Sequence, residues 1–260
     1  MSVRWAKAIE HSGFDRRGVF TAVADAGFNG VQLPVDHITN LDDSSFFQLK
    51  KDLSASGMNA EVCASLFPAD VVVSGQGFNL YVWAEYLKKA VGRIADLGCR
   101  RVVWNNGRAR MMPDEDSMAG LREQTMQFLY VTAEIFATSG LALLVEPLSY
   151  RRTNFLNTIE ETDSFLESVD RDNIGIAISL RDLDAIGLSP GSLERWKHRI
   201  GHVYLENPDA SDMVRTAPSP SDRYDYGAFL GALRKIDYDG VVTLPSDATA
   251  GTLQFCHSRY

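Results

Sequence analysis

The sequence predicts a single-domain (β/α)8 TIM barrel over residues 1–260. Three observations predict it: β-rich runs alternate eight times with longer amphipathic stretches, glycines recur where helices must end, and an all-apolar strand ends on a carboxylate. The candidate strands are 3–8, 30–33, 60–65, 101–105, 142–146, 174–179, 202–206 and 240–244. Ala26-Gly27, Ser56-Gly57, Leu97-Gly98 and Ser139-Gly140 each fall where a helix needs a left-handed residue before the next strand. Helix starts carry acids or hydroxyls where the backbone dipole favours them: Asp15 after Phe14, Asp42-Asp43, Thr158 before Glu160-Glu161, and Asp225 before Tyr226. A doubly wound open sheet is the competing architecture, but no Gly-rich phosphate loop follows the first strand. Residues 207–225, rich in Pro, Ser and Asp, read as a long loop after the seventh strand, at the active face of a barrel and placed to act as a lid. The tail after Asp247 is short, which predicts a short or missing last helix and a homo-oligomer whose packing completes the outer ring.

Composition narrows the function classes. A chain with 45% hydrophobic and 23% charged residues can bury one large core and needs no disordered segment. A net charge of −8 without a Lys/Arg cluster lacks the basic surface that a nucleic-acid backbone requires, so the expected partner is a small molecule. Cys63, Cys99 and Cys256 have no Cys-x-x-Cys spacing, which argues for reduced thiols rather than a disulfide framework or zinc ribbon. With no apolar signal core at Met1-Ser2-Val3-Arg4-Trp5 and no stretch of membrane-spanning length, a cytoplasmic protein without a membrane partner is expected.

Glu146 closes the run Leu141-Ala142-Leu143-Leu144-Val145. An ionised group there needs a partner or a raised pKa, and either condition marks a site. The order Ala26-Gly27-Phe28-Asn29-Gly30-Val31, Leu97-Gly98-Cys99, Val145-Glu146-Pro147-Leu148 with Thr153-Asn154-Phe155-Leu156-Asn157-Thr158, and Tyr238-Asp239-Gly240-Val241-Val242 resembles the xylose isomerase-like sugar phosphate isomerase/epimerase barrels. The resemblance covers nearly the whole chain. It implies a divalent ion held by Glu after strand five, Asp after strand six, His after strand seven and Glu after strand eight, the two Glu moving a proton beside a substrate carbonyl. Glu146 matches the first of these. Ser179 stands at the Asp position, Tyr204 at the His, Pro245 at the last Glu, and Asp182 where the family has a substrate-contacting His. Hard divalent ions need several oxygen or imidazole donors, so no cofactor is expected unless Glu146, Asp182, Glu206 and Asp247 rebuild a site for Mn, Mg, Co or Zn. The plainer reading of Glu206 and Asp247 is as solvated loop carboxylates.

Residues near the strand ends supply the remaining candidates. Lys7, Gln32, Glu61, Trp104, Asn106 and Tyr204 are polar or amphipathic there, and Gln32 stands where the family often has Glu. Trp104 is either a stacking surface for a ring or a core aromatic. His11 and His37 lie in βα loops as potential acid or base groups, or as solvated histidines. Arg151 or Arg152 is placed to clamp an anion or to neutralise Glu146, and Arg215 or Arg223 to bind substrate from the seventh loop. The catalytic set is then Glu146, Asp182, Tyr204 and Glu206, with Lys7, His11, Gln32, Trp104, Asn106, Arg152 and Arg215 holding substrate. Two functions follow. One is an isomerase or epimerase that moves a proton beside the carbonyl of a small hydroxylated or sugar-like molecule without the usual metal, a lyase, dehydratase or cyclase outcome being the variant. The other is a non-catalytic descendant that binds a small molecule or a partner. A metal nuclease of this barrel class is set aside, because its zinc cluster needs more His than the five present.

Overall fold

Eight parallel strands hydrogen-bond in chain order and close on themselves, β1 pairing with β8. In this computed structural model, residues 3–14, 18–75, 77–112, 118–209 and 214–260 are described. The strands are β1 (Arg4–Ala8), β2 (Gly30–Pro34), β3 (Asn59–Ala64), β4 (Arg101–Trp104), β5 (Ala142–Val145), β6 (Ile174–Ser179), β7 (Ile200–Tyr204) and β8 (Val241–Leu244). Around them lie α1 (Val19–Asp25), α2 (Val35–Asn40), α3 (Asp43–Ala55), α4 (Leu80–Asp96) and α5 (Met118–Ala137). The ring continues with α6 (Ile159–Val169), α7 (Leu180–Ala185), α8 (Tyr226–Lys235) and α9 (Ala250–Arg259). The last helix is therefore present, ten residues long.

The local signals act as the sequence requires. Asp42 Oδ1 accepts from Ser45 N at 2.7 Å to start α3, Thr158 Oγ1 from Glu161 N at 3.0 Å to start α6, and Asp225 Oδ1 from Gly227 N at 3.0 Å to start α8. The expected cap at Asp15 lies outside the described residues. The four punctuating glycines have φ between 65° at Gly140 and 92° at Gly27, a region that costs a residue with a Cβ. The main shift is at β7, which starts at Ile200 and ends at Tyr204, so Glu206 lies beyond the strand rather than on it.

Side-chain alternation splits the apolar residues into two layers. Val62, Ala64, Val103, Leu144, Ala177 and Tyr204 fill the barrel interior. Their neighbours Cys63, Val102, Trp104, Leu143, Val145, Ile176, Ile178, Val203 and Leu205 belong to the larger core between strands and helices. The interior is narrow: a Cβ at Gly201 would lie 2.6 Å from Leu144 Cδ2, and one at Gly175 would lie 2.8 Å from Arg199 O. Leu144 occupies the space that these glycines leave.

His202 is buried directly below Tyr204, their rings edge to face at 4.6 Å, and neither ring nitrogen has a hydrogen-bond partner among the described residues. Burial, with Arg101 and Arg215 adding positive charge, pulls its pKa down to about 3. The folded protein thus keeps His202 neutral where the unfolded chain, at its ordinary 6.5, takes a proton. Its contribution to stability is fully present above pH 6.5 and is lost progressively as pH falls towards 3. Urea unfolding at pH 7.5 and 4.5 should show His202→Phe losing about 2–3 kcal/mol less than wild type on acidification. Equal losses would place the acid sensitivity elsewhere.

Candidate functional site

The mouth of the barrel is built where β5, β6 and β7 end. Glu146 follows β5 and Glu206 lies two residues past β7, on the same side as Tyr204; neither has any exposed surface. The guanidinium of Arg215, from the seventh loop, joins them: Nη2 donates to Glu146 Oε1 and Nη1 to Glu206 Oε1 at 3.1 Å. Its Cζ stacks 4.3 Å from the centre of the Tyr204 ring. Ser179, at the end of β6, donates its hydroxyl to the same Glu206 Oε1. Glu206 is thus no solvated loop carboxylate. Nor is Glu146 neutralised by Arg151 or Arg152 in a direct ion pair; Arg215, expected to hold substrate, does this instead.

Asp182, in the first turn of α7, accepts from Ser149 N at 3.0 Å and lies 3.6 Å from Arg152 Nη1 and 3.9 Å from Arg181 Nη2. It anchors the turn after β5 and orients Arg152, whose Nη2 reaches Asn105 O at 3.5 Å. Beneath this layer Arg110, with no exposed surface, donates to the backbone carbonyl of Glu146 and lies 5.5 Å from the Trp104 ring.

Electrostatics follow from burial. Desolvation raises the Glu146 pKa, Arg215 pulls it down and Asp182 pushes it further up; burial wins and the group stays raised. Burial, then the nearby Glu146 charge, lifts Tyr204 well above its ordinary value, so its phenol stays protonated. Desolvation opposes the charge on Arg215, but Glu146 and Glu206 outweigh it and its pKa rises. Desolvation brings Arg110 down to about 10 against the attraction of Glu146.

Two adjoining cavities open above this cluster. One, of about 330 Å3, is bounded by Gln32, Asn105, Arg152, Arg181, Arg215 and Pro245. The other, of about 510 Å3, shares His11, Asn105 and Arg152 with it and adds Asp36, Arg108 and Arg151. His11 Nε2 lies 3.0 Å from Asp36, and His37 packs edge-on to the His11 ring. Asn106 borders the second cavity, with its Oδ1 accepting from Ala109 N at 3.2 Å.

The structure corrects several placements. Trp104 faces the helices, with its ring 5.2 Å from Phe128, so the core reading of this aromatic holds and the stacking one does not. Lys7 also points out of the barrel, donating to Ala248 O at 2.6 Å. Glu61 pairs with Arg4 at 2.7 Å, away from the mouth. Arg223 is exposed. Asp247 is exposed too, and accepts from Ala217 N at 3.0 Å, tethering the seventh loop instead of joining Glu146, Asp182 and Glu206. Arg110 and Arg181 carry no sequence signal of burial, because arginines outside a recognised core pattern are ordinarily solvated, yet both are buried here, Arg110 between β4 and α5 and Arg181 in the first turn of α7.

The divalent ion implied by the family resemblance does not fit this donor set. Ser179, Tyr204 and Pro245 stand at three of its four positions, and the Arg215 guanidinium lies between the two carboxylates nearest to them. Among the described residues no group of three or more His, Cys, Asp or Glu side chains is placed to hold a metal. Among them, too, no helix is long and apolar enough to cross a membrane.

A closed barrel of eight parallel strands with a charged polar mouth defines a class of α/β barrels. The chain belongs to the xylose isomerase-like TIM barrel family, whose model matches residues 20–252. It is 25% identical over 244 residues to a ketose 3-epimerase of Arthrobacter globiformis, covering 90% of this chain and 79% of that protein. Among solved structures, a D-allulose 3-epimerase from Methylomonas sp. superposes with a TM-score of 0.81 at 17% identity, over 99% of this chain and 98% of the other. A 3-keto-D-glucoside 4-epimerase from E. coli gives 0.79 at 16%, over 99% and 100%. A family 2 AP endonuclease from Brucella melitensis gives 0.77 at 18%, over 99% of both chains. At these identities the structural likenesses establish the fold.

If Arg215 is the counter-ion that makes burial of Glu146 and Glu206 tolerable, its removal should cost about 3–5 kcal/mol. Urea unfolding at pH 7.5 should show this loss for Arg215→Met, and most of it should be recovered when Glu146→Gln and Glu206→Gln are added. Full stability of Arg215→Met alone would mean that the carboxylates are compensated by other groups.

Proposed function

We propose that this chain moves a proton on and off a carbon beside the carbonyl of a small ketose-like sugar, with epimerisation as the outcome. The observation that carries the reading is the pair of buried carboxylates, Glu146 and Glu206, brought from the ends of different strands to the one guanidinium, that of Arg215, which borders the polar cavity. Membership of the xylose isomerase-like TIM barrel family and 25% identity to a ketose 3-epimerase support it. Epimerisation requires a proton to leave one face of a carbon and return to the other, and two carboxylates on separate supports supply those two roles. Glu146 takes the proton. The C–H electron pair forms a carbon–carbon double bond, and the carbonyl π pair moves to oxygen. A proton from solvent, relayed by way of Glu206, returns to the opposite face as the carbonyl reforms, and Glu146 releases its proton to solvent. Glu146 Oε2, Glu206 Oε2 and Tyr204 Oη are buried without hydrogen-bond partners among the described residues, a set that a polyhydroxylated molecule would satisfy. Gln32, Asn105, His11 and Arg152 supply polar groups for its other hydroxyls.

The test is proton NMR of D-fructose, D-allulose, D-tagatose and L-ribulose incubated with enzyme in D2O, with and without added Mn2+, Mg2+ or Co2+. Wild type should wash deuterium into the position next to the carbonyl of at least one sugar and form its epimer. Glu146→Gln should slow this by about 100-fold or more. Absence of exchange in every sugar under every condition would overturn the reading.

A further inference from the structure

We propose that the guanidinium of Arg215 stands in the place of the family's divalent ion and is the electrophile that holds the enolate oxygen. The inference rests on the proton-transfer reading above and concerns which cation serves it.

The resemblance assigns metal ligands to Glu146, Ser179, Tyr204 and Pro245, and three of these four converge on Arg215. Glu146 accepts from its Nη2. Tyr204 lies under the guanidinium plane at 4.3 Å. Ser179 donates to Glu206, the carboxylate that accepts from Nη1. Pro245 carries no donor atom, and it borders the same cavity as Arg215. These changes therefore do not scatter. They remake an ion's surroundings into those of a planar cation: a carboxylate for each of two nitrogens, an aromatic face below, and a hydroxyl to hold the second carboxylate.

A guanidinium and a divalent ion placed here would compete for the same carboxylate oxygens. The ion could enter only by expelling Arg215, and it would then find a serine, a phenol and a proline at the remaining positions. Arg215 is also fixed at its base. Asn207 N donates to Thr216 O at 2.9 Å and Ala217 N to Asp247 Oδ1 at 3.0 Å, so the residues next to Arg215 are pinned to the mouth. Its side chain is 21% exposed and borders the cavity, so its remaining N–H groups can reach a bound substrate. When Glu146 removes the proton, the charge that develops on the carbonyl oxygen meets a cation already in place, which is how fixed donors lower such barriers.

The test pairs a binding measurement with an activity. Mn2+ titration followed by electron paramagnetic resonance should show no stoichiometric site in wild type or in Arg215→Lys, whereas Arg215→Ser should gain one weak site where the two carboxylates lose their cation. Deuterium exchange should persist in wild type after exhaustive chelation, fall by at least about 100-fold in Arg215→Ser and be partly restored in Arg215→Lys. Near-stoichiometric Mn2+ in wild type, or exchange that vanishes on chelation and returns with Mn2+, would overturn the proposal while leaving the proton-transfer reading intact. If no sugar exchanges under any condition, the proton-transfer reading falls, and the Mn2+ titration still decides what Arg215 replaces. Circular dichroism identifies a misfolded Arg215→Ser, and the wild-type and Arg215→Lys results then carry the test.

Discussion

The burial of two carboxylates on one guanidinium governs the rest of the mouth. Taking a carboxylate out of water costs roughly several kcal/mol even after the protein relaxes, and attraction to a cation offsets this only when geometry and the remaining hydrogen bonds are good. Arg215 meets that condition by donating separate nitrogens to Glu146 and Glu206, while Ser179 supplies a further bond to Glu206. The compensation is unequal. Glu146 remains raised by burial and by Asp182, so its ionised form is the strained member of the set. A carboxylate in that condition gains by accepting a proton, which ties the cost of folding to the chemistry proposed for the site.

Neighbouring groups extend the same balance outward. Arg110 places a second positive charge beneath Glu146, through its backbone carbonyl rather than its carboxylate. Asp182 stands near Arg152 and Arg181 and, through Ser149 N, fixes the turn that follows β5. Glu146, Asp182 and Glu206 thus face Arg110, Arg152, Arg181 and Arg215, so each buried carboxylate is met by positive charge inside a chain whose net charge is −8. Carboxylates met by cations in this way can take up or release a proton without leaving an isolated negative charge in the low-dielectric interior.

How far the sequence exposes this depends on which constraint acts locally. Barrel periodicity, helix caps and Glu146 are legible because each is set by neighbours in the chain: an apolar run, a capping side chain, a glycine at positive φ. The side of a strand-end residue is harder, since it turns on parity. Trp104 lies between the inward Val103 and the cavity-lining Asn105, and one position of misjudgement puts an aromatic in the mouth instead of the helix layer. Lys7 fails in the same way. The expected β7 was offset by two residues, an even number, so Tyr204 and Glu206 kept their correct side. Arg110 and Arg181 are illegible for a different reason. Their burial depends on where loops return, and no local pattern encodes that.

Asp247 shows how the same residue type serves the site without joining it. The sequence allows it as a metal ligand, whereas in the fold it accepts from Ala217 N and so holds the loop that carries Arg215. A metal ion would need a carboxylate there as a ligand. A guanidinium needs its own chain held still. With the cation carried on a loop, the charge of the site and the order of that loop become one property: the tether places Arg215, Arg215 compensates Glu146 and Glu206, and those carboxylates in turn hold the loop down. The positive charge between Glu146 and Glu206 is carried by the chain itself, on the segment that Asp247 holds through Ala217 N.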